Sequence, residues 1–451
     1  MKSFSVIVLF LFVAFAGCKK KEGYNAVFHD PVLFCKTVKN LNNVVLQNNF
    51  PPMIASRNYA YACIAAYEVI AVGDKRFQSL AGQIKHLPAL PKLDTTNVDF
   101  QYASLLAFCK VGEAVTFPEG SMQGYVDNLN HMADSSGMPE KVMRASQTFA
   151  GSVANHILSW SKGDNYLQTR SASKYTVSNE EGRWVPTPPG YDAAIEAHWM
   201  EIRPMVLDSS SEFKPARPPK YDMKDTSSEY CRALMEVKNI GDSLTEEEKH
   251  IADFWDDNPL KKIVVGHAML VIKKFSPPGH WMNIVGIASE KANADFATTV
   301  MAYAETSIAL FDAFIACWDE KYRSNYVRPE TVINKYIDPD WRPYIQTPPF
   351  PSYIGGHSTI SAAAAEVMTS IFGNNLSFTD TSLLEFGIKN REIKSFRDAS
   401  LEASISRVYG GIHYRFDCDN GNKTGKKVGE FIVQKLHLKK SQELTTLIRN
   451  N

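Results

Sequence analysis

The chain has 451 residues, enough for two or three domains or for one large helical body with a doubled core. Apolar residues make up 44% and charged residues 22%, the balance of an ordinary soluble globular protein. Lysine plus arginine and aspartate plus glutamate balance at 49 each, so no global field favours nucleic acid or an anionic membrane, and any basic site must be local.

Met1-Lys2 is followed by an apolar run from Val6 to Ala16 and then by Gly17-Cys18-Lys19-Lys20-Lys21. The run is too short and too sharply ended to span a bilayer, and it reads as a secretory signal over residues 1–18. Phe15-Ala16-Gly17-Cys18 resembles the bacterial lipobox, with Phe15 where leucine is usual. That resemblance implies an exported lipoprotein lipidated at Cys18, touching the membrane only through the anchor and facing the periplasm or cell surface. A plain signal peptide with an incidental cysteine is the other reading. The remaining six cysteines form no Cys-x-x-Cys pair, so neither zinc nor a redox motif is indicated. They read as buried thiols, with one disulfide left open.

Residues 19–165 form an N-terminal helical half. Apolar periodicity predicts helices over 30–48, closed by Pro51-Pro52, then over 53–72, 100–115, 121–133 and 142–162. Residues 166–226 differ. Trp184, Pro186, Pro188, Pro189, Gly190, Trp199, Pro204, Pro215, Pro218 and Pro219 make a connector or lid, with aromatic area to dock it. Helices resume in 227–451, over 228–240, from an N-cap at Thr245, and over 281–291, 295–321, 360–372, 383–407 and 422–437. Short alternating runs are scarce. The fold class is all-α, and two halves of about four helices each fit the count.

Three stretches of the C-terminal half concentrate polar chemistry. The first runs from Trp318 through Lys321 to Arg328-Pro329, and its two cations would share a face if the helix ran on to the proline. The second is Phe350-Pro351-Ser352-Tyr353-Ile354-Gly355-Gly356-His357-Ser358-Thr359, ahead of an alanine-rich helix. Such a helix entry offers backbone N–H groups and the positive end of a dipole to an anion. The third holds Arg407, Gly410-Gly411, His413 and Asp417, with Asp417 one helical turn beyond His413 and able to fix its tautomer. Taken singly, these are a solvated basic face, a common glycine turn and a surface hydrogen bond.

Together, Lys321-x6-Arg328-Pro329, the Gly356-His357 turn and Ser406-Arg407-x5-His413-x3-Asp417 resemble the type 2 phosphatidic acid phosphatase superfamily. Within it the chain is most similar to the vanadium-dependent haloperoxidases. Trp184-x-Pro186-Thr187-Pro188-Pro189-Gly190-Tyr191, Leu244-Thr245-Glu246-Glu247 and Phe254-Trp255 extend the likeness to the bacterial branch. The resemblance implies a two-bundle helical fold of haloperoxidase or acid phosphatase type, with the oxyanion site in a C-terminal four-helix bundle.

It further implies that Lys321, Arg328 and Arg407, with the Gly356 N–H, neutralise the oxygens of a tetrahedral oxyanion. His413 would bind its central atom, as the vanadate ligand in a haloperoxidase or as the nucleophile in a phosphatase. His357 would be the acid–base, and Trp318 and Phe350 would line the cage or else serve simply as core aromatics. The implied cofactor is vanadate, with hydrogen peroxide, a halide and a small organic acceptor as partners. The phosphatase reading needs no cofactor and takes a phosphomonoester. A homodimer is compatible with either.

One position departs from the pattern: the family carries serine before Gly-His, and this chain has Gly355. The missing hydroxyl removes a hydrogen bond to a charged acceptor worth roughly 1.5–3 kcal/mol. A weakened oxyanion-binding relative is therefore a third reading.

Overall fold

The computed structural model describes residues 23–440 except 260, 266 and 267, so the leader and Cys18 lie outside the described residues. In the N-terminal half, helices α1 (Pro31–Gln47), α2 (Pro52–Gly73), α3 (Phe100–Ala114) and α4 (Glu140–Ser161) pack together. Local chemistry sets their starts: Asp30 caps α1 by accepting from the Val32 N–H at 2.9 Å, and Asp99 caps α3 by accepting from Tyr102 N–H at 2.8 Å.

In the C-terminal half, α5 (Pro277–Lys291) leads into α6 (Phe296–Ser324), α7 (Gly356–Phe372), α8 (Phe396–Tyr409) and α9 (Arg415–Lys435). The last four make the bundle. Helix α6 is apolar and long enough to cross a membrane by length and composition, but it is buried inside the protein. One face packs on α2 and the other on α7 and α9, so one hydrophobic core runs through both halves. The halves expected at 19–165 and 227–451 meet across this helix.

Helices α7 and α9 approach most closely, because α9 presents Gly421, Gly425 and Gly429 at four-residue spacing. A Cβ at Gly425 would sit 1.9 Å from the Thr359 carbonyl oxygen, and one at Gly429 would sit 2.7 Å from that of Ala363. Any side chain there would push the helices apart. The contact draws the first turn of α9 against the first turn of α7, where Gly355 N–H donates to the Asp417 carbonyl at 2.9 Å.

The proline-rich stretch carries a short α-helix (Tyr166–Arg170) and one turn of 3-10 helix (Trp199–Glu201), and otherwise wraps the bundle in irregular structure. Trp184 and Trp199 are fully buried. The Asp312 carboxylate on α6 ties the wrap down by accepting from the N–H groups of Met205, Val206 and Leu207 at 2.7, 2.7 and 3.0 Å.

Four helix predictions need correction. Helix α6 stops at Ser324, where Asn325 takes a left-handed conformation (φ 47°), so it does not run on to Pro329. Residues 383–407 are not one helix: a short hairpin of β1 (Phe378–Asp380) and β2 (Arg391–Ile393) intervenes, and α8 begins only after Ser395 caps it. Helices α7 and α9 start earlier than expected, at Gly356 and Arg415, because glycine closeness and capping, rather than apolar periodicity, set those ends. All six described cysteines are free thiols, five of them buried.

Candidate active site

A cavity opens at the junction of α6, α7, α8 and the start of α9. Trp318, Phe350, Gly356, His357, Arg407 and His413 line it, with Ile195 of the wrap and Phe314. Its volume is about 40 Å3. One water needs about 10–15 Å3, so the space suits an ion with a few oxygens.

Lys321, the seven-before partner of Arg328, reaches the site from the last turn of α6. Its Nζ donates to the carbonyls of Pro351 and Ser352 at 2.8 and 2.9 Å. Arg328 arrives by another route, from the cap position of the helix Pro329–Tyr336. Its Nε donates to Phe350 O at 2.9 Å and its Nη1 to Ile412 O at 2.8 Å. Arg407, on α8, donates from Nη1 to Trp255 O at 2.7 Å. All three are buried, and none has a carboxylate in ion-pair contact among the described residues. Burial pushes Lys321 down to about 7 and Arg328 to about 9, and lowers Arg407 as well.

Arg328 Nη2 and Arg407 Nε are buried donors without a hydrogen-bond partner among the described residues. Such groups are costly, about 1–3 kcal/mol each or more when charged, unless something else satisfies them. Phe350 lies beneath this charge, its ring 4.9 Å from Lys321 Nζ and 5.1 Å from the Arg328 guanidinium carbon. Trp318 packs on Phe350 with ring centroids 5.1 Å apart.

His413 Nδ1 lies 2.8 Å from Asp417 Oδ2, and Nε2 lies 3.1 Å from Arg328 Nη1. Arginine only donates, so Nε2 accepts and carries a lone pair, and the proton sits on Nδ1 facing the carboxylate. Burial, reinforced by Arg328, Lys321 and Arg407, holds the imidazole neutral, well below the usual histidine range. Asp417 also accepts from Ser352 Oγ at 2.6 Å, while burial raises its carboxyl to about 6.

His357, in the first turn of α7, is likewise pushed well down by burial and then by Arg407. The Trp255 backbone carbonyl beside the ring opposes that shift, and the buried Nε2 has no partner among the described residues. The ring itself is partly open to the cavity. At Gly356 the first N–H groups of α7 have no carbonyl a turn earlier in the helix to meet. Arg407, Gly356 and two neutral imidazoles thus line one small space, with Arg328 against His413 and Lys321 against Gly356 directly beside it.

The structure brings together every site residue expected from the sequence: Trp318, Lys321, Arg328, Phe350, Gly356, His357, Arg407, His413 and Asp417. Neither nearby serine replaces the missing one, since Ser352 is engaged with Asp417 and Ser358 Oγ is 2.7 Å from Ser404 Oγ. Sequence reasoning missed Ser352 as a partner of Asp417. It also missed the turn Asp256-Asp257-Asn258-Pro259, whose residues line the cavity. The polar run directly after Phe254-Trp255 was the available signal.

A family model, the VCPO second helical-bundle domain, matches residues 301–440. A bacterial vanadium-dependent iodoperoxidase of known structure is 42% identical, with a TM-score of 0.86 over 92% of this chain and 98% of that one. A bacterial vanadium-dependent chloroperoxidase shares the fold at 16% identity. Its holo form has a TM-score of 0.64, over 86% of this chain and 92% of that one. Its apo form has a TM-score of 0.62, over 86% and 95%. No curated protein matches the chain.

Proposed function

We propose, for a chain that belongs to the vanadium-dependent haloperoxidases, that this cavity holds vanadate and uses hydrogen peroxide to oxidise a halide, iodide in particular. The residues fit the cofactor. Two orphaned guanidinium donors meet the charge of an oxyanion, and one imidazole nitrogen has its lone pair free of a proton. Lys321, Arg328, Arg407 and the Gly356 N–H would hold the oxygens, and His413 Nε2 would ligate the metal. Bound vanadate supplies a Lewis-acid centre that activates peroxide toward the halide.

The protein's own groups do the rest. Asp417 keeps the His413 proton on Nδ1, and Ser352 keeps Asp417 turned toward it. His357, neutral and unpartnered at its buried Nε2, would take up a proton from bound peroxide. Trp318, Phe314, Phe350 and Ile195 give a wall with few donors, which favours the halide that sheds water most easily. That argument and the name of the 42% identical relative support iodide.

The observation that carries the reading is the accepting Nε2 of His413 beside unpaired cationic donors. Purified protein loaded with orthovanadate should form triiodide from iodide and peroxide, with no turnover before loading. His413→Ala should lower this rate by at least about 10³-fold, the scale on which loss of a group acting directly on the reacting centre is felt. Phosphate release from p-nitrophenyl phosphate, with no vanadate-dependent oxidation, would instead select the phosphatase reading of the same residues. We also propose lipid anchoring at Cys18, on the lipobox resemblance; Cys18→Ser should then move the exported protein from the membrane to the soluble fraction.

A further inference from the structure

Behind the cavity lies a second polar cluster that the reaction above does not use. His280, on the first turn of α5, is fully buried between two carboxylates. Its Nδ1 is 3.0 Å from both oxygens of Asp257, and its Nε2 is 3.0 Å from Asp380 Oδ2. A carboxylate on each nitrogen requires both nitrogens to donate, so the ring is an imidazolium. Burial alone would discharge it, but Asp257 and then Asp380 raise it to about 10. Trp255 stacks on the ring at 4.7 Å between centroids, and Phe254 meets its edge at 5.4 Å. Asp380 is anchored in turn, accepting from the Ser382 N–H at 2.9 Å.

The cluster grips a strained turn. Asp257 has φ 41°, a left-handed conformation that a residue with a side chain adopts at a cost of about 1–3 kcal/mol unless it is held. The same turn carries the Trp255 carbonyl, which accepts from Arg407 Nη1 and lies beside the His357 ring. Arg407 Nη1 also reaches the Asp256 carbonyl at 3.3 Å. One short segment therefore aims both the oxyanion's arginine and the acid–base histidine, and its side chain at Asp257 is clamped from behind.

We infer that Asp257, His280 and Asp380 form a positioning clamp that fixes the 254–259 turn, so that its carbonyls orient His357 and Arg407 toward the cavity. The clamp rests on the haloperoxidase reading for its effect on turnover, but not for its effect on oxyanion binding. Its energetic logic is that of a supporting shell: small displacements of a group that orients the reacting residues cost far more than the hydrogen bond lost.

The test uses the full mature chain, with orthovanadate binding by calorimetry and iodide oxidation as separate readouts. Asp257→Ala should weaken orthovanadate binding and lower kcat at least tenfold each, with little change in the KM for iodide. Asp257→Asn, which still accepts from His280, should stay within threefold of the wild type. Asp257→Glu keeps the charge and the acceptor but lengthens the arm, and it should lose about as much as the alanine variant. It also serves if Asp257→Ala does not fold. A lowered melting temperature with orthovanadate affinity and kcat within twofold would overturn the clamp. So would a glutamate variant equal to the wild type, because charge rather than position would then be what matters. If the wild type binds orthovanadate without oxidising iodide, the haloperoxidase reading fails while the binding series still decides the clamp.

Discussion

Arg57 in the N-terminal half and Arg328 in the C-terminal bundle are both buried, yet they are held in opposite ways. Arg57 Nε donates to Asp164 at 2.7 Å, Tyr61 Oη donates to the same carboxylate oxygen at 2.9 Å, and the guanidinium lies over the rings of Tyr61 and Tyr166. Arg328 has backbone carbonyls and a histidine nitrogen, one unpartnered nitrogen and no paired carboxylate. The first is a finished ion pair that joins α2 to the end of α4. The second is charge kept in reserve beside Lys321 and Arg407. A fold gains nothing by burying three cations without anions, so the difference identifies which region was built to receive one.

The largest expected effects come from breaking each side of this contrast. Asp164→Ala leaves Arg57 buried and alone and should cost about 3–5 kcal/mol of stability, with orthovanadate binding per folded molecule unchanged. Arg328→Met removes a charge that has no partner. It should leave the apo protein as stable as the wild type or more so, by up to about 4 kcal/mol, while orthovanadate binding is lost. Scanning calorimetry with and without orthovanadate reads both. The wild type should gain about 2.7 kcal/mol at a hundredfold excess over Kd, and the Arg328→Met variant should gain nothing. A large destabilisation in Arg328→Met would mean that the cation is structural.

The contrast also separates what was legible in the sequence from what was not. Lys321, Arg328, Arg407, His357 and His413 were legible because oxyanion chemistry demands those side chains and the chain supplies them in a recognisable order. The way Arg328 reaches the site was not. Asn325 ends α6 in a left-handed turn, and the docked wrap then holds the next residues, with Trp184 N–H donating to Asn325 O at 3.0 Å. That is tertiary pairing, which helical spacing does not encode. The hairpin that reaches into 383–407 was missed although Gly387 and the Ser395-Phe396-Arg397-Asp398 cap mark its end, since apolar residues on both sides suggested one helix. The polar run 256–259 was readable, but only the folded chain brings that turn against α8 and so makes it part of the site. The glycine row 421, 425, 429 was readable and went unused.

Buried charge elsewhere on α6 sharpens the comparison with a smaller effect. Glu305, two-thirds of a helix away from Lys321's end, is buried where α6 meets α2, and burial lifts its carboxyl to about 8 with only partial relief from Lys439. Its pKa in the folded state lies above the unfolded value. Its contribution to stability is therefore fully present below about pH 4.5 and is lost as pH rises through about 8. Glu305→Gln removes that dependence. The variant should match the wild type near pH 5 and exceed it by roughly 2–4 kcal/mol at pH 8.5, with orthovanadate affinity unchanged. Denaturant titrations at the two pH values check this, and equal stabilities at pH 8.5 would show that Lys439 neutralises the site after all.

The smallest expected effect bears on Gly355, the residue before the Gly356-His357 turn, where the chain departs from the family's serine. Gly355 is not merely a serine without its hydroxyl, because its backbone sits against α9 and a Cβ there would lie 2.9 Å from Ser358 Oγ and 3.3 Å from the Asp417 carbonyl. The Ser358 hydroxyl is engaged with Ser404, so it does not yield freely. Gly355→Ser alone should therefore cost about 1–2 kcal/mol through crowding. Pairing it with Ser358→Ala removes the nearer obstacle. The double variant should recover most of that stability and bind orthovanadate about tenfold more tightly, the worth of one added hydrogen bond to a charged acceptor. If the double variant is stable and binds no better than the wild type, then Lys321, Arg328, Arg407 and the Gly356 N–H already saturate the oxyanion. Gly355 would then be a packing residue, set by how closely α7 and α9 approach.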